Sequence, residues 1–282
     1  MKLVRFGAAG AEKPGLIDAH GVVRDLSGHV SDITGETLAA ASLNRLSQLD
    51  PQSLPAAPPG VRLGPPVGNV RNFIAVGLNY IDHAKETGAE IPKEPILFNK
   101  LPNCIVGPDD DVMIPKGSHK LDYEIEIAFV IGTRARYVSE SDALSHIAGY
   151  TICNDVSERN FQAERGGQWM KGKCAETFGP LGPWLVTREE IANVQALSMS
   201  LDVNGQRRQT GNTETMIFSI QHCMHYITQF MVLEPGDVVT TGTPPGVALG
   251  MKPPAWLKAG DVMTLKIEGL GQQRQKVVPF KA

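Results

Sequence analysis

The sequence predicts a β-rich α+β protein, with a small N-terminal α+β domain over residues 1–66 and a larger mixed β-roll or barrel over residues 67–282. Three observations carry that expectation. Short alternating apolar runs bounded by Gly, Pro and Asp recur along the chain. Few stretches have helical spacing, and no strand–helix alternation of the parallel α/β kind appears. A Pro-rich passage from Pro51 to Pro66, containing Pro55, Pro58, Pro59 and Pro65, can continue neither a helix nor a central strand, which sets the domain boundary there.

Lys2–Phe6, Gly15–Asp18 and Val22–Leu26 read as short strands, the last two joined by Ala19-His20-Gly21, and Thr37–Leu49 has helical apolar spacing. Beyond the boundary, strands are expected at Phe73–Gly77, Ile96–Phe98, Leu121–Ile131, Ile147–Asp155, Ser198–Val203, Val238–Thr241 and Val262–Ile267. One helix begins near Asn79. A second spans Ser219–Leu233, where Ile220, Met224, Ile227 and Met231 recur on one face and Ser219 reads as the cap. Gly236-Asp237-Val238 and Gly260-Asp261-Val262 each stand before a strand, where Gly and Asp serve tight turns.

The net charge of −3, with Lys and Arg scattered along the chain, offers no field attractive to nucleic acid or an anionic membrane. The start, Met1-Lys2-Leu3-Val4-Arg5, carries charge where a signal peptide is apolar, so a cytoplasmic location is expected. Cys104, Cys153, Cys174 and Cys223 form no Cys-x-x-Cys pair, and reduced thiols are expected.

The chemistry begins with Asp122, Glu124 and Glu126, which occupy every second position of an apolar strand and therefore share a face. Carboxylates held close together need a counter-charge, and a hard divalent cation supplies one; a solvated acidic hairpin is the alternative. The next apolar strand ends in Asp155. With Glu124 and Glu126 it completes three protein oxygens, leaving room for water and substrate on Mg²⁺ or Mn²⁺, with Ca²⁺ as a substitute.

Past Asp155, a helical turn opening at Ser157 puts Arg159 and Gln162 on one face, suited to an anionic substrate or equally to a surface salt bridge. His83 and Glu86, spaced i, i+3, form a candidate proton-transfer pair or an incidental surface pair. His222 and His225 share that spacing, but their helix is rich in core residues. Lys171 and Lys173 precede a Gly/Pro-rich turn, and Thr241-Gly242-Thr243-Pro244-Pro245-Gly246-Val247 forms a second such loop, without the Gly-Lys-Ser/Thr of a P-loop. Cys174 has no neighbouring base that would make it a nucleophile.

Together the segments Val76 to His83, Asp122-Tyr123-Glu124-Ile125-Glu126, Asn154 to Arg159, Lys173 to Pro183 and Thr241 to Val247 resemble the fumarylacetoacetate hydrolase family, from about Asn72 to the C-terminus. The resemblance implies that family's C-terminal fold, a divalent metal on Glu124, Glu126 and Asp155, and a water-activating His83–Glu86 dyad on a mobile lid. It also implies substrate contacts from Arg159, Gln162, Lys173 and Thr243, with Lys173 in the catalytic set as an oxyanion donor. Lys171 has no counterpart. Where relatives usually carry Ser and Asp, this chain has Cys174 and Glu176.

The N-terminal unit and the Gly167-Gln168-Trp169 passage look most like the subgroup acting on 2,4-diketo-3-deoxy sugar acids such as those from L-rhamnonate or L-fuconate. The expected activity is C3–C4 hydrolysis of a 2,4-diketo acid to pyruvate and a hydroxy acid such as lactate. Oxaloacetate decarboxylation and ureidoglycolate lyase-like activity are the alternatives within enzymes, and a β-rich binding protein with a structural cation site is the alternative outside them. A homodimer acting on a small keto acid is the expected assembly.

Overall fold

The computed structural model describes residues 1–281, apart from the side chain of Thr87. Three strands open the chain as an antiparallel meander: β1 (Lys2–Phe6), β2 (Lys13–Ile17) and β3 (Val23–Asp25). Two short helices, α1 (Gly35–Leu38) and α2 (Ala40–Ser47), replace the single helix expected over Thr37–Leu49. Ala39 is extended between them, although alanine favours helix, so the break is imposed by the packing that buries Leu38 and Leu46.

Then come β4 (Phe73–Gly77), α3 (Ile81–Thr87), β5 (Ile96–Lys100), β6 (Ile105–Val106) and β7 (Val112–Met113). The site-forming stretch follows as β8 (Leu121–Asp122), β9 (Ile125–Ile131), β10 (Ile147–Asn154), β11 (Ser157–Glu158), α4 (Arg159–Ala163) and α5 (Met170–Lys173). The remainder is β12 (Gly179–Thr187), β13 (Ser198–Val203), β14 (Gln206–Asn212), α6 (Ile220–Thr228), β15 (Val238–Thr240), β16 (Val262–Ile267) and β17 (Gly271–Val278). Helix α6 starts at its Ser219 cap as expected, but ends five residues short of Leu233, whose N–H and C=O pair instead with Ala135.

The fold is mixed α+β and strand-rich, and its main sheet stays open rather than closing into a barrel. Its ten strands run β3-β2-β1-β12-β10-β9-β15-β4-β5, with β6 beside β12. Every residue of β9 is buried, as befits a central strand between β10 and β15. A second sheet, β14-β13-β16-β17-β7, is stapled to the first by buried glutamines. Gln209 accepts from the Ile125 N–H, and Gln273 donates to the carbonyls of Ile152 and Gly182.

Residues 1–66 are not packed apart from the rest. β1 pairs with β12 in the main sheet, and Leu3, Leu16 and Leu46 belong to the same apolar core as Ile127 and Phe129. The Pro-rich passage therefore divides two stretches of chain that share one sheet and one core.

The run Leu121–Ile131 is two strands, not one. Asp122 accepts from the N–H of Tyr123, and the next two N–H groups are taken by side chains: Glu124 N donates to Asn154 Oδ1 and Ile125 N to Gln209 Oε1. These side chains stand in for the missing ladder and let the chain turn between Asp122 and Ile125. Because β9 runs antiparallel to β10 and β15, and β15 parallel to β4, the start of β9 and the ends of β4, β10 and β15 meet at one edge. The site lies there.

Candidate active site

Register brings the acids together. Ile125 pairs with Asn154 and Glu126 with Cys153, so Asp155 arrives opposite Glu124 and donates its N–H to the Glu124 carbonyl at 2.8 Å. One carboxylate oxygen each from Glu124, Glu126 and Asp155 lie within 4.8 Å of one another, and all three residues are buried. The solvated-hairpin alternative does not describe this face.

The two glutamates differ in environment. Burial opposes ionisation of Glu124, but Arg159 and Lys173 outweigh it and hold the carboxyl down to about 2. Burial together with the charges of Asp155 and Glu124 pushes Glu126 well above the ordinary carboxylate value, against the smaller opposing effects of the Lys173 charge and the Gly242 N–H at 2.9 Å. The cations thus gather on the Glu124 side and leave the Glu126 side undercompensated. Three convergent oxygens with unbalanced negative charge fit a hard divalent cation.

The cation shell contains one residue the sequence reading missed. Lys173 Nζ donates to Glu124 Oε2 at 2.5 Å and Asp155 Oδ2 at 2.7 Å. Lys100, at the end of β5 and wholly buried, donates to Asp155 Oδ1 and to the Lys173 carbonyl, each at 2.6 Å. Burial pulls the Lys100 ammonium towards neutrality, yet the Asp155 charge holds its pKa above the ordinary lysine value. A signal was available: Lys100 is two residues past Phe98 on a strand, so it shares a face with a residue that lines the cavity.

Arg159 is buried rather than a surface salt bridge. Its Nε donates to Asp122 Oδ2 at 2.8 Å, one terminal nitrogen to Glu124 Oε1 at 2.5 Å and the other to Gln162 Oε1 at 3.0 Å. Accepting from Arg159 leaves the NH₂ end of the Gln162 amide as the donor it offers the cavity. The cap of α4 is Glu158, which accepts from Asn160 N, and not Ser157, whose hydroxyl is drawn back to the Asp155 carbonyl. Asp122 also accepts from Ala248 N and Leu249 N at 2.7 and 3.1 Å.

Helix α3 carries His83 and Glu86, with Nδ1 of His83 3.3 Å from Oε2 of Glu86. Glu86 is held in turn by Gly246 N, 2.9 and 3.1 Å from its two oxygens. The helix is aimed by the connection before it: Asn79 Nδ2 donates to the Thr241 carbonyl, and Gly242, at φ +89°, packs so closely that a Cβ there would lie 2.9 Å from Asn79 Cβ. His83 lines the cavity, so the pair is not an incidental surface contact.

Thr243 also lines the cavity, but its hydroxyl donates to the Ile125 carbonyl and accepts from Gln209 Nε2, each at 2.8 Å. It has no proton left to offer a substrate oxygen. Cys174 donates to the Asn99 carbonyl, with burial pushing its thiol up, and Glu176 is exposed, so both departures leave the Lys173 ammonium in place. Lys171 turns away to the Arg165 carbonyl. His222 and His225 make separate contacts with Glu140 and the Val138 carbonyl rather than converging on a metal.

The acids form the floor of a cavity of about 290 Å³. Lys173, Arg159, Gln162 and His83 surround that floor, and the outer wall is mostly apolar. No helix among the described residues is long and apolar enough to cross a membrane.

An oxygen-ligand cluster with a His–Glu pair above it, inside a small cavity of a strand-rich fold, defines an enzyme acting on small molecules. Residues 72–278 match the model of the fumarylacetoacetate (FAA) hydrolase C-terminal family. The chain belongs to the fumarylacetoacetate hydrolase family, whose members generally bind a divalent metal. A Burkholderia ambifaria protein named "Putative hydrolase" is 53% identical over 276 residues, 98% of each chain. A fumarylacetoacetate hydrolase from psychrophilic Exiguobacterium antarcticum superposes with a TM-score of 0.89 at 36% identity, covering 99% of this chain and 100% of that one. A 5-carboxymethyl-2-hydroxymuconate delta-isomerase from Mycobacterium smegmatis gives 0.79 at 32% identity, covering 100% of both. The structural neighbours include both hydrolases and isomerases.

Proposed function

We propose that this chain hydrolyses the C3–C4 bond of a 2,4-diketo acid, releasing pyruvate and a second carboxylic acid, with Mg²⁺ or Mn²⁺ at Glu124, Glu126 and Asp155. The observation that supports the reading is that His83, paired with Glu86, lines the same cavity as the acid cluster. A decarboxylase or a structural cation site has no need of a base there.

Glu124, Glu126 and Asp155 would hold a divalent cation, which would supply Lewis acidity to the keto acid end of the substrate. Four buried carboxylates, Asp122, Glu124, Glu126 and Asp155, face three buried cations, Lys100, Arg159 and Lys173. With the divalent ion and every carboxylate ionised, the cluster carries one net positive charge, which matches the single carboxylate of such a substrate. His83, oriented by Glu86, takes a proton from the water that adds to C4. Lys173 and the Gln162 amide donate to the oxyanion that forms there. When the C3–C4 bond breaks, its electron pair passes into the pyruvate enolate, and a proton returned to C3 completes pyruvate. Thr243 orders the loop and accepts at most one hydrogen bond. The reacting atoms are C1 to C4, so the scheme serves deoxysugar-derived diketo acids and simple acylpyruvates alike.

The test is pyruvate release from 2,4-dioxopentanoate with Mg²⁺, Mn²⁺ or EDTA, with oxaloacetate in parallel. Metal-dependent hydrolysis that His83→Ala abolishes is expected; turnover of oxaloacetate alone, or of neither, sinks the reading. For assembly we propose a homodimer covering the exposed Tyr137, Phe230 and Met231, and a monomer in sedimentation refutes it.

A further inference from the structure

We infer that the acyl side of the substrate, beyond C4, is an apolar chain or ring without hydroxyls and without a second carboxylate. This rests on the diketo acid reading for its orientation, because the acid cluster must hold the C1 end. The remaining side chains that line the cavity include Val76, Leu78, Phe98, Ala163, Trp169 and Leu249. Five of these side chains are hydrocarbon throughout, and the sixth has a single indole N–H.

The wall is built, not incidental. Trp169 stands edge-on to Phe98, ring centroids 5.3 Å apart at 66°. It also lies directly over Gly77, where a Cβ would come within 2.3 Å of the ring, so that position must lack a side chain for the indole to sit there. Leu249 is fixed by its own N–H, which donates to Asp122.

Two charged groups line the cavity away from the acid floor, Lys120 and Glu164, and they are ion-paired with each other. A distal carboxylate would have to displace Glu164 from Lys120 and then lie beside it. A hydroxyl on the acyl chain that is buried against the hydrocarbon side chains, away from the Trp169 indole N–H and the already paired Lys120 and Glu164, gives up water without a partner, a loss of about tenfold or more in kcat/KM for each. Each methylene covered by the wall gains about fourfold. The polyhydroxylated diketo acids suggested by the sequence resemblance are on this account poorer substrates than alkyl or aryl acylpyruvates of equal length.

The experiment compares kcat/KM of the Mg²⁺-loaded full chain on 2,4-dioxooctanoate, its 5,6,7-trihydroxy counterpart and 2,4-dioxooctanedioate. A preference of at least tenfold for the first over both others is expected. Equal or better turnover of the trihydroxy acid or the dioate overturns the inference. Calorimetric binding of 2-oxohexanoate against 2-oxogluconate, neither of which has a 4-oxo group to attack, separates the two readings. If no diketo acid is hydrolysed but 2-oxohexanoate binds at least tenfold tighter, the reaction is wrong and the apolar wall stands; equal or tighter binding of 2-oxogluconate removes the wall whatever the turnover. Leu249→Asn and Ala163→Ser should each lower the preference for the unhydroxylated substrate at least threefold, and an unchanged ratio in both counts against it.

Discussion

The Lys100 ammonium bridges Oδ1 of Asp155 and the backbone carbonyl of Lys173, 2.6 Å from each, and so ties a candidate metal ligand to the chain segment whose own ammonium holds Glu124. Both Lys100 and Asp155 are buried, which makes the pair a positioning device rather than a surface ornament.

Lys100→Met should leave Asp155 with one cation instead of two. Metal affinity is expected to fall about 10- to 100-fold, as when a group that orients a ligand is removed. Stability should drop by about 3 kcal/mol, because breaking a buried ion pair strands its partner. Metal titration followed by calorimetry and a thermal melt reads both; an unchanged metal affinity would show that Asp155 does not depend on Lys100.

Glu126→Gln separates metal binding from folding. Burial and the charges of Asp155 and Glu124 already disfavour the Glu126 carboxylate, so the amide should cost the metal-free protein no stability and can raise its Tm. Mg²⁺ should then no longer raise Tm, whereas it stabilises the unmodified chain in proportion to ligand saturation. A mutant that melts higher with Mg²⁺ to the same extent would remove Glu126 from the ligand set.

His83→Ala should lower kcat about 10²- to 10⁴-fold, the usual contribution of a positioned base, with Mg²⁺ affinity unchanged. Glu86→Gln should cost less, because Gly246 N still has an acceptor while the imidazole loses a charged partner. Steady-state kinetics with a parallel metal titration checks the pair, and kcat within threefold of the parent in His83→Ala would exclude it as the base.

Asp18 gives a pH prediction away from the site. The Val22 N–H lowers its carboxyl pKa, with burial opposing and Arg24 and the His20 N–H adding to the shift. A carboxylate whose folded pKa is depressed stabilises the fold above its unfolded value, about 4, and loses that contribution as pH falls through the folded one. Asp18→Asn should therefore melt below the parent at pH 7, with the gap closing below pH of about 4; a gap that persists at low pH would refute the linkage.

The periodicities that single out Glu124, Glu126, Asp155, Arg159, Gln162, His83 and Glu86 are local, and the first six line the cavity. Glu86 stands 3.3 Å from Nδ1 of His83. What was illegible is non-local. The acidic run looked continuous because the groups that interrupt it, Asn154 and Gln209, lie 30 and 84 residues from the N–H groups they accept. The anchoring role of Asp122 is invisible locally because its partners Ala248 and Leu249 are 126 and 127 residues away. The union of β1 with β12 pairs Lys2 with Val186, which no turn signal connects. Lys100 escaped because lysine is almost never fully buried, and its partner acid, Asp155, lies 55 residues away just past the end of β10.

Apart from the Thr243 hydroxyl, carboxylates grip the loop from Gly242 to Gly250 by its backbone: Glu126 holds Gly242 N, Glu86 holds Gly246 N, and Asp122 holds Ala248 N and Leu249 N. Peptide N–H groups are the same whatever side chain follows them. Leu249 can therefore be exchanged over generations while the acids beneath keep their geometry, so selection can retune what enters the cavity without rebuilding the chemistry at its floor. Gly246 and Gly250 are the counterweight, since a Cβ there would strike the Arg208 carbonyl at 2.0 Å or the Glu86 carboxyl at 2.5 Å. Such a loop is open to inheritance of new side chains at some positions and closed at others.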